Sequence, residues 1–262
     1  MIHLHVRSWF SFLAGGSSPE ELVETAQQLE QPALALTDTH GVYGAVRFQQ
    51  ACQQAGIRPV IGAEVAFQDA PLVLLAQHGG GYSNLCQLLT LFHVRQEEPL
   101  TLDDLFHHRE GLFCLTGGSE SHLHHLVQGR RIQQATTWLH DLQSVYGDHL
   151  RVEVCNHKRP GDLYVAKQTL RLADTLSIVP VATNDVRYAG AEAYRRYDLL
   201  TCVRLGLTIH EPHPARPSNA EAHLKSPEAM AALIPSRAAL DHTRKPRCRN
   251  TRDAHRSGGV DR

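Results

Sequence analysis

The chain has 262 residues, with 26 basic against 27 acidic side chains, 42% hydrophobic and 20% charged residues. That composition excludes a disordered polyampholyte and allows one large core. No apolar run approaches the roughly 20 residues needed to span a bilayer. The N-terminus also lacks the basic-then-apolar plan of a signal peptide, so a cytoplasmic protein without membrane contact is expected.

The six cysteines lack CxxC spacing, which removes zinc ribbons and disulfide frameworks and leaves most of them as small buried hydrophobes. Charge is unevenly placed: residues 236–262 carry eight basic and three acidic side chains and almost no aliphatic ones. A disordered tail is expected there, read as the out-of-frame end of a truncated gene, behind a folded domain over residues 1–235.

In chain order, short apolar runs at residues 2–6, 33–37, 58–61, 72–76, 112–116, 150–155 and 178–182 have the length and Val/Ile/Leu content of buried strands. Helices alternate with them. Ser18, Pro19 and Glu21 form an N-terminal capping box with proline at the first helical position, followed by an apolar stripe of Leu22, Val23, Ala26 and Leu29. A second helix spans residues 42–55 and stops at Gly56. Further helices are expected over 82–94, 131–146, 162–176 and 192–203. Seven strands alternating with helices imply a parallel α/β sheet, open or closed.

What stands at the strand ends favours closure. His3 and His5 lie on the first strand, Asp38, Thr39 and His40 follow the second, Glu64 the third, His157 the sixth and Asp185 the seventh. An open sheet gathers its site at one switch point, whereas a barrel spreads it over several strand ends. Two histidines two apart on a strand share a face. Taken singly, Asp38 and Asp185 read better as caps of the following helices. Together the positions suit Zn, Mn or Fe, and clustered ions of that kind activate water for phosphoester hydrolysis.

Residues 1–26 (MIHLHVRSWFSFLAGGSSPEELVETA) and the stretch PALALTDTHGVYGAVRFQQACQQAGIRPVIGAEV resemble the N-terminal PHP (polymerase and histidinol phosphatase) domain of bacterial C-family DNA polymerases. The stretches GYSNLCQLLTL, LFCLTGGSES, VEVCNHKRPGD, PVATNDVRYAGAEA and LKSPEAMAALIP agree, so the resemblance covers about residues 1–235. It implies a distorted seven-stranded (βα) barrel of PHP type holding up to three divalent metal ions. It also implies a metal-dependent phosphoesterase or 3′–5′ exonuclease, with DNA and a polymerase core as partners. Segments 18–22 and 158–162 lean towards the error-prone branch.

By this resemblance the metal ligands are His3, His5, Asp38, His40, Glu64, His157 and Asp185. Four positions depart from the family pattern. Thr39 stands where a histidine is usual, with His40 one place late. Arg7 and Arg187 stand where further histidines are common, and Gly118 where some members supply a cysteine. Arginine offers no lone pair to a metal, so Arg7 and Arg187 are expected to bind phosphate instead, with the ions held at less than full occupancy. The competing expectations are a free-standing histidinol-phosphatase-like enzyme and a non-catalytic structural module.

Overall fold

The computed structural model describes residues 1–68 and 70–243. Its one sheet has six strands in sequential order: β1 (Ala33–Thr39), β2 (Arg58–Phe67), β3 (Ala70–Ala76), β4 (Leu112–Leu115), β5 (Leu150–Val154) and β6 (Val179–Ala182). The helices are α1 (Pro19–Gln28), α2 (Ala45–Ala55), α3 (Gly79–Val94), α4 (Leu102–His107), α5 (His122–Gln128), α6 (Ile132–Tyr146), α7 (Asp162–Thr175), α8 (Tyr194–Leu205), α9 (Pro227–Leu233) and α10 (Arg237–His242). The capping box at Ser18 and Glu21 is formed, and α2 ends at Gly56 in the left-handed conformation, φ 70°.

Two expectations need correction. The sheet is mixed, because β3 runs antiparallel to both β2 and β4. β2 continues to Phe67 and returns at Ala70, and so short a connection permits only an antiparallel pair. The seventh strand is also absent as such. Residues 2–6 make only isolated bridges, His3 to Leu34 and Val6 to Val186, both parallel. They nevertheless join the sheet's two ends: Ala35 N–H donates to His3 O and Thr37 N–H to Val6 O on one side, while Val186 N–H donates to His5 O on the other. The curled six-stranded sheet is thereby closed by an irregular N-terminal segment.

Alternation along the strands divides the interior. Leu72 and Leu74 of β3 join the large cluster shared with α3, α6 and α7, while Val73 and Leu75 join Leu4, Val60, Leu115 and Val181 on the opposite face. Glu64 of β2 lies four residues from Val60, and Glu153 of β5 alternates with Val152 of the large cluster, so both extend that second face towards the ends of β1, β5 and β6. An apolar layer therefore underlies a charged one.

The chain stays folded past residue 235. Ser236 caps α10, Ala239 is buried, and α10 packs on β6, so the tail expected from residue 236 starts inside a packed helix. Residues 244–262 lie outside the described residues. Cys52, Cys114, Cys155 and Cys202 are buried and unpaired, and Cys86 is half-buried. Among the described residues no helix is long and apolar enough to cross a membrane.

Candidate functional site

The parallel bridge Val6–Val186 organises the site. Both valines are fully buried against α1 and α2. Their chain neighbours His5 and Arg7, and Asp185 and Arg187, therefore turn to the other side together. His5 Nε2 comes within 3.6 Å of Asp185 Oδ1, and Arg7 Nη2 within 3.8 Å of the same oxygen.

The rest of the sheet supplies carboxylates. Glu64 lies beside Thr39 in the β1–β2 register, and Thr39 Oγ1 donates to Glu64 Oε1 at 3.1 Å. Glu64 stands inside β2 and not after it, because the strand continues three residues further. Its other oxygen accepts from Arg7 Nη2 and lies 3.1 Å from His5 Nε2. Asp185, at φ 39°, accepts from Ser119 Oγ at 2.9 Å and from Arg187 Nε and Nη2 at 3.0 and 3.1 Å.

Glu153 belongs to this group although the strand-end pattern passes over it. It is buried in the middle of β5, 2.8 Å from His5 Nδ1, and accepts from Thr183 Oγ1. The signal was a glutamate between Val152 and Val154, since an acid in a buried run is almost never left unpaired. Glu120 was also passed over. It lies in the loop after β4, with Oε2 3.0 Å from Arg187 Nη2.

The electrostatics follow from burial plus these contacts. Burial alone would lower the His5 pKa, but the carboxylates of Glu153 and Asp185 and the bonds to Glu153 and Glu64 hold it well above the usual value. A carboxylate oxygen at each ring nitrogen favours the doubly protonated form of His5. Glu64 and Asp185 are pushed the other way. Burial opposes their ionisation, yet Arg7 and His5 keep both carboxyls below the ordinary carboxylate range.

The remaining expected ligands have other partners. His3 Nε2 lies 3.1 Å from both the backbone N and O of Lys225, and burial drops its pKa to about 4. Asp38 accepts from Ser8 N, Ser8 Oγ and Ser11 Oγ at 2.7 to 3.0 Å, and burial raises its pKa. His40 takes φ 54°, which turns its ring onto Phe92 at 4.2 Å. His157 Nε2 donates to Asn184 O at 2.7 Å. The structure thus brings together His5, Glu64 and Asp185 with Arg7 and Arg187, and places His3, His40 and His157 on separate contacts, with Asp38 in a nest of serines alongside.

These residues do not fit a metal cluster as they stand. Among the described residues no group of three or more His, Cys, Asp or Glu side chains is arranged to hold one ion. The positive observation is stronger: guanidinium groups already cover Glu64 and Asp185, and both His5 nitrogens are engaged. A dication entering here would face two fixed cations, and each unit pair at 4 Å costs about 4 kcal/mol at an effective dielectric of 20.

A family model described as PHP domain matches residues 3–157. The chain belongs to the PHP domain family. Over 249 residues this PHP domain is 35% identical to an error-prone DNA polymerase of Symbiobacterium thermophilum, covering 87% of this chain and 23% of that protein. Over 253 residues it is 34% identical to the DNA polymerase III subunit alpha of Treponema pallidum, covering 89% of this chain and 22% of the relative. The PHP domain thus spans about a quarter of the length of the polymerases it matches. An amidohydrolase from Chromobacterium violaceum, solved with bound sulfate and no metal, shares the fold at a TM-score of 0.52 and 15% identity, covering 72% of this chain and 88% of that one.

Proposed function

We propose that this chain is the PHP module of a bacterial DNA polymerase of the III alpha or error-prone type, in which an arginine–carboxylate network stands where the family resemblance implies divalent ions. One observation carries the reading. Arg7 and Arg187 lie on the carboxylates of Glu64 and Asp185, and together they supply the two positive charges that a divalent ion would bring. Buried carboxylates cost several kcal/mol each unless compensated, and here the compensation is internal.

On this reading the module supports the polymerase core structurally, and DNA contact and synthesis belong to the longer protein. The phosphoesterase or 3′–5′ exonuclease activity, and the Zn, Mn or Fe ions expected at His3, His5, Asp38, His40, Glu64, His157 and Asp185, are replaced by a stabilising role. The polymerase names of the relatives favour this over a free-standing histidinol phosphatase.

The test is metal content and hydrolysis together. The purified chain is equilibrated with Zn, Mn and Fe at neutral pH, dialysed and analysed by mass spectrometry, then assayed on single-stranded DNA. Less than one ion per chain and no release of nucleotides is expected. Stoichiometric metal together with DNA hydrolysis, both lost in His5→Ala, would overturn the reading.

A further inference from the structure

Glu120 differs from every other member of the charged layer in its exposure. Its side chain is 53% exposed, while those of Arg7, Arg187 and Asp185 are exposed by 4% or less. It reaches inward from the loop that also carries Ser119, and sets one carboxylate oxygen 3.0 Å from Arg187 Nη2 and 3.9 Å from Arg7 Nη1. One oxygen thus satisfies one guanidinium and falls short of the other. Arg7 Nε is buried with no hydrogen-bond partner among the described residues.

The surroundings give an anion a way in. Glu120 and Arg187 line a cleft of about 680 Å³ at the strand ends, with Arg159, Arg204, His125 and Tyr197 also on its walls. Burial raises the pKa of the Glu120 carboxyl, while Arg7 and the exposed Arg204 oppose that shift. Glu120 presents its carboxylate on a side chain that solvent already reaches.

We infer that Arg7 and Arg187 form an oxyanion-binding site whose resident anion is Glu120. A phosphate group entering through the cleft displaces that carboxylate and is held, uncleaved, on both guanidinium groups. This rests on the reading that arginines fill the strand-end layer. The ligand chemistry follows from geometry and charge. A tetrahedral phosphate presents more acceptor oxygens than a carboxylate and can span both arginines, which Glu120 does unequally. Exchange of a carboxylate for a phosphodiester also leaves the formal charge of the layer unchanged.

The experiment titrates the full chain with inorganic phosphate and with the dinucleotide TpT, by calorimetry at constant ionic strength. Wild type and Glu120→Gln are compared, and the half-exposed position of Glu120 keeps that variant folded. Losing the internal competitor should tighten phosphate binding about tenfold. The gain should vanish in Glu120→Gln/Arg187→Gln. A matching gain for TpT assigns the site to a nucleic-acid strand, and a gain for inorganic phosphate alone assigns it to the free ion. Equal affinity in wild type and Glu120→Gln, or binding by neither, overturns the inference. Mn²⁺ titration of the same samples separates the two readings. Stoichiometric Mn²⁺ binding by wild type sinks the arginine-filled layer itself. Failure of the phosphate response without Mn²⁺ binding sinks only the role given to Glu120.

Discussion

The guanidinium of Arg187 lies across both carboxylate oxygens of Asp185, two residues earlier, at 3.0 and 3.1 Å. The pair is possible because Asp185 takes φ 39° and Val186 is pinned by its bridge to Val6. Removing one partner of such a buried pair leaves the other uncompensated. Arg187→Gln is therefore expected to cost about 3–5 kcal/mol in urea unfolding. Asp185→Asn/Arg187→Gln should recover part of that loss, and strict additivity would show the pair to be uncoupled.

His5 should remain doubly protonated well above neutral pH, because carboxylates face both nitrogens. Its folded pKa is raised, so the stability it adds is fully present below the unfolded value of about 6.5 and is lost as pH rises through the folded value. Nitrogen-15 NMR of labelled histidine checks this directly. Two protonated ring nitrogens are expected at pH 8, and Glu153→Gln should bring the titration down towards neutrality.

His124 predicts a slope of the opposite sign. Burial drops its pKa from 6.5 to about 4, so the unfolded chain takes up the proton first on acidification. Its contribution is complete above about pH 6.5 and is lost as pH falls towards 4. His124→Gln should flatten the stability profile in that window in chemical denaturation. An unchanged slope would place the titrating group elsewhere.

Gly118 leaves no room for a side chain. A Cβ there would sit 2.7 Å from both Cβ and Oδ2 of Asp185. Gly118→Ala should destabilise the fold by about 1–3 kcal/mol as Asp185 is forced aside. Gly118→Cys should do the same without gaining zinc, as read by melting temperature and metal analysis. A cysteine variant that binds zinc at wild-type stability would mean the layer re-forms easily around an ion.

Much of this architecture was legible in the chain. The runs at residues 33–37, 112–116 and 178–182 became strands because short length and Val/Ile/Leu content report burial directly. The order and spacing of strand ends led to His5, Glu64 and Asp185, which meet in space. Strand direction was not legible, because an apolar run looks the same either way and the extension of β2 to Phe67 hid the tight return to β3. His40 departs because a left-handed residue redirects its ring, and no periodicity reports that. Glu153 was passed over for lying within a strand, although an acid flanked by two buried valines was the stronger clue.

The N-terminal segment that closes the sheet has a consequence for birth on the ribosome. His3 waits for the backbone of Lys225, and Val6 for Val186, so both acquire their neighbours only after a long further stretch of chain is made. Contacts of such sequence separation form slowly. The charged layer can therefore assemble only after nearly the whole domain has left the exit tunnel, and until then its acids and arginines remain hydrated. A nascent chain stalled before residue 186 should expose residues 2–6 to a protease, and one extended well past residue 225 should protect them.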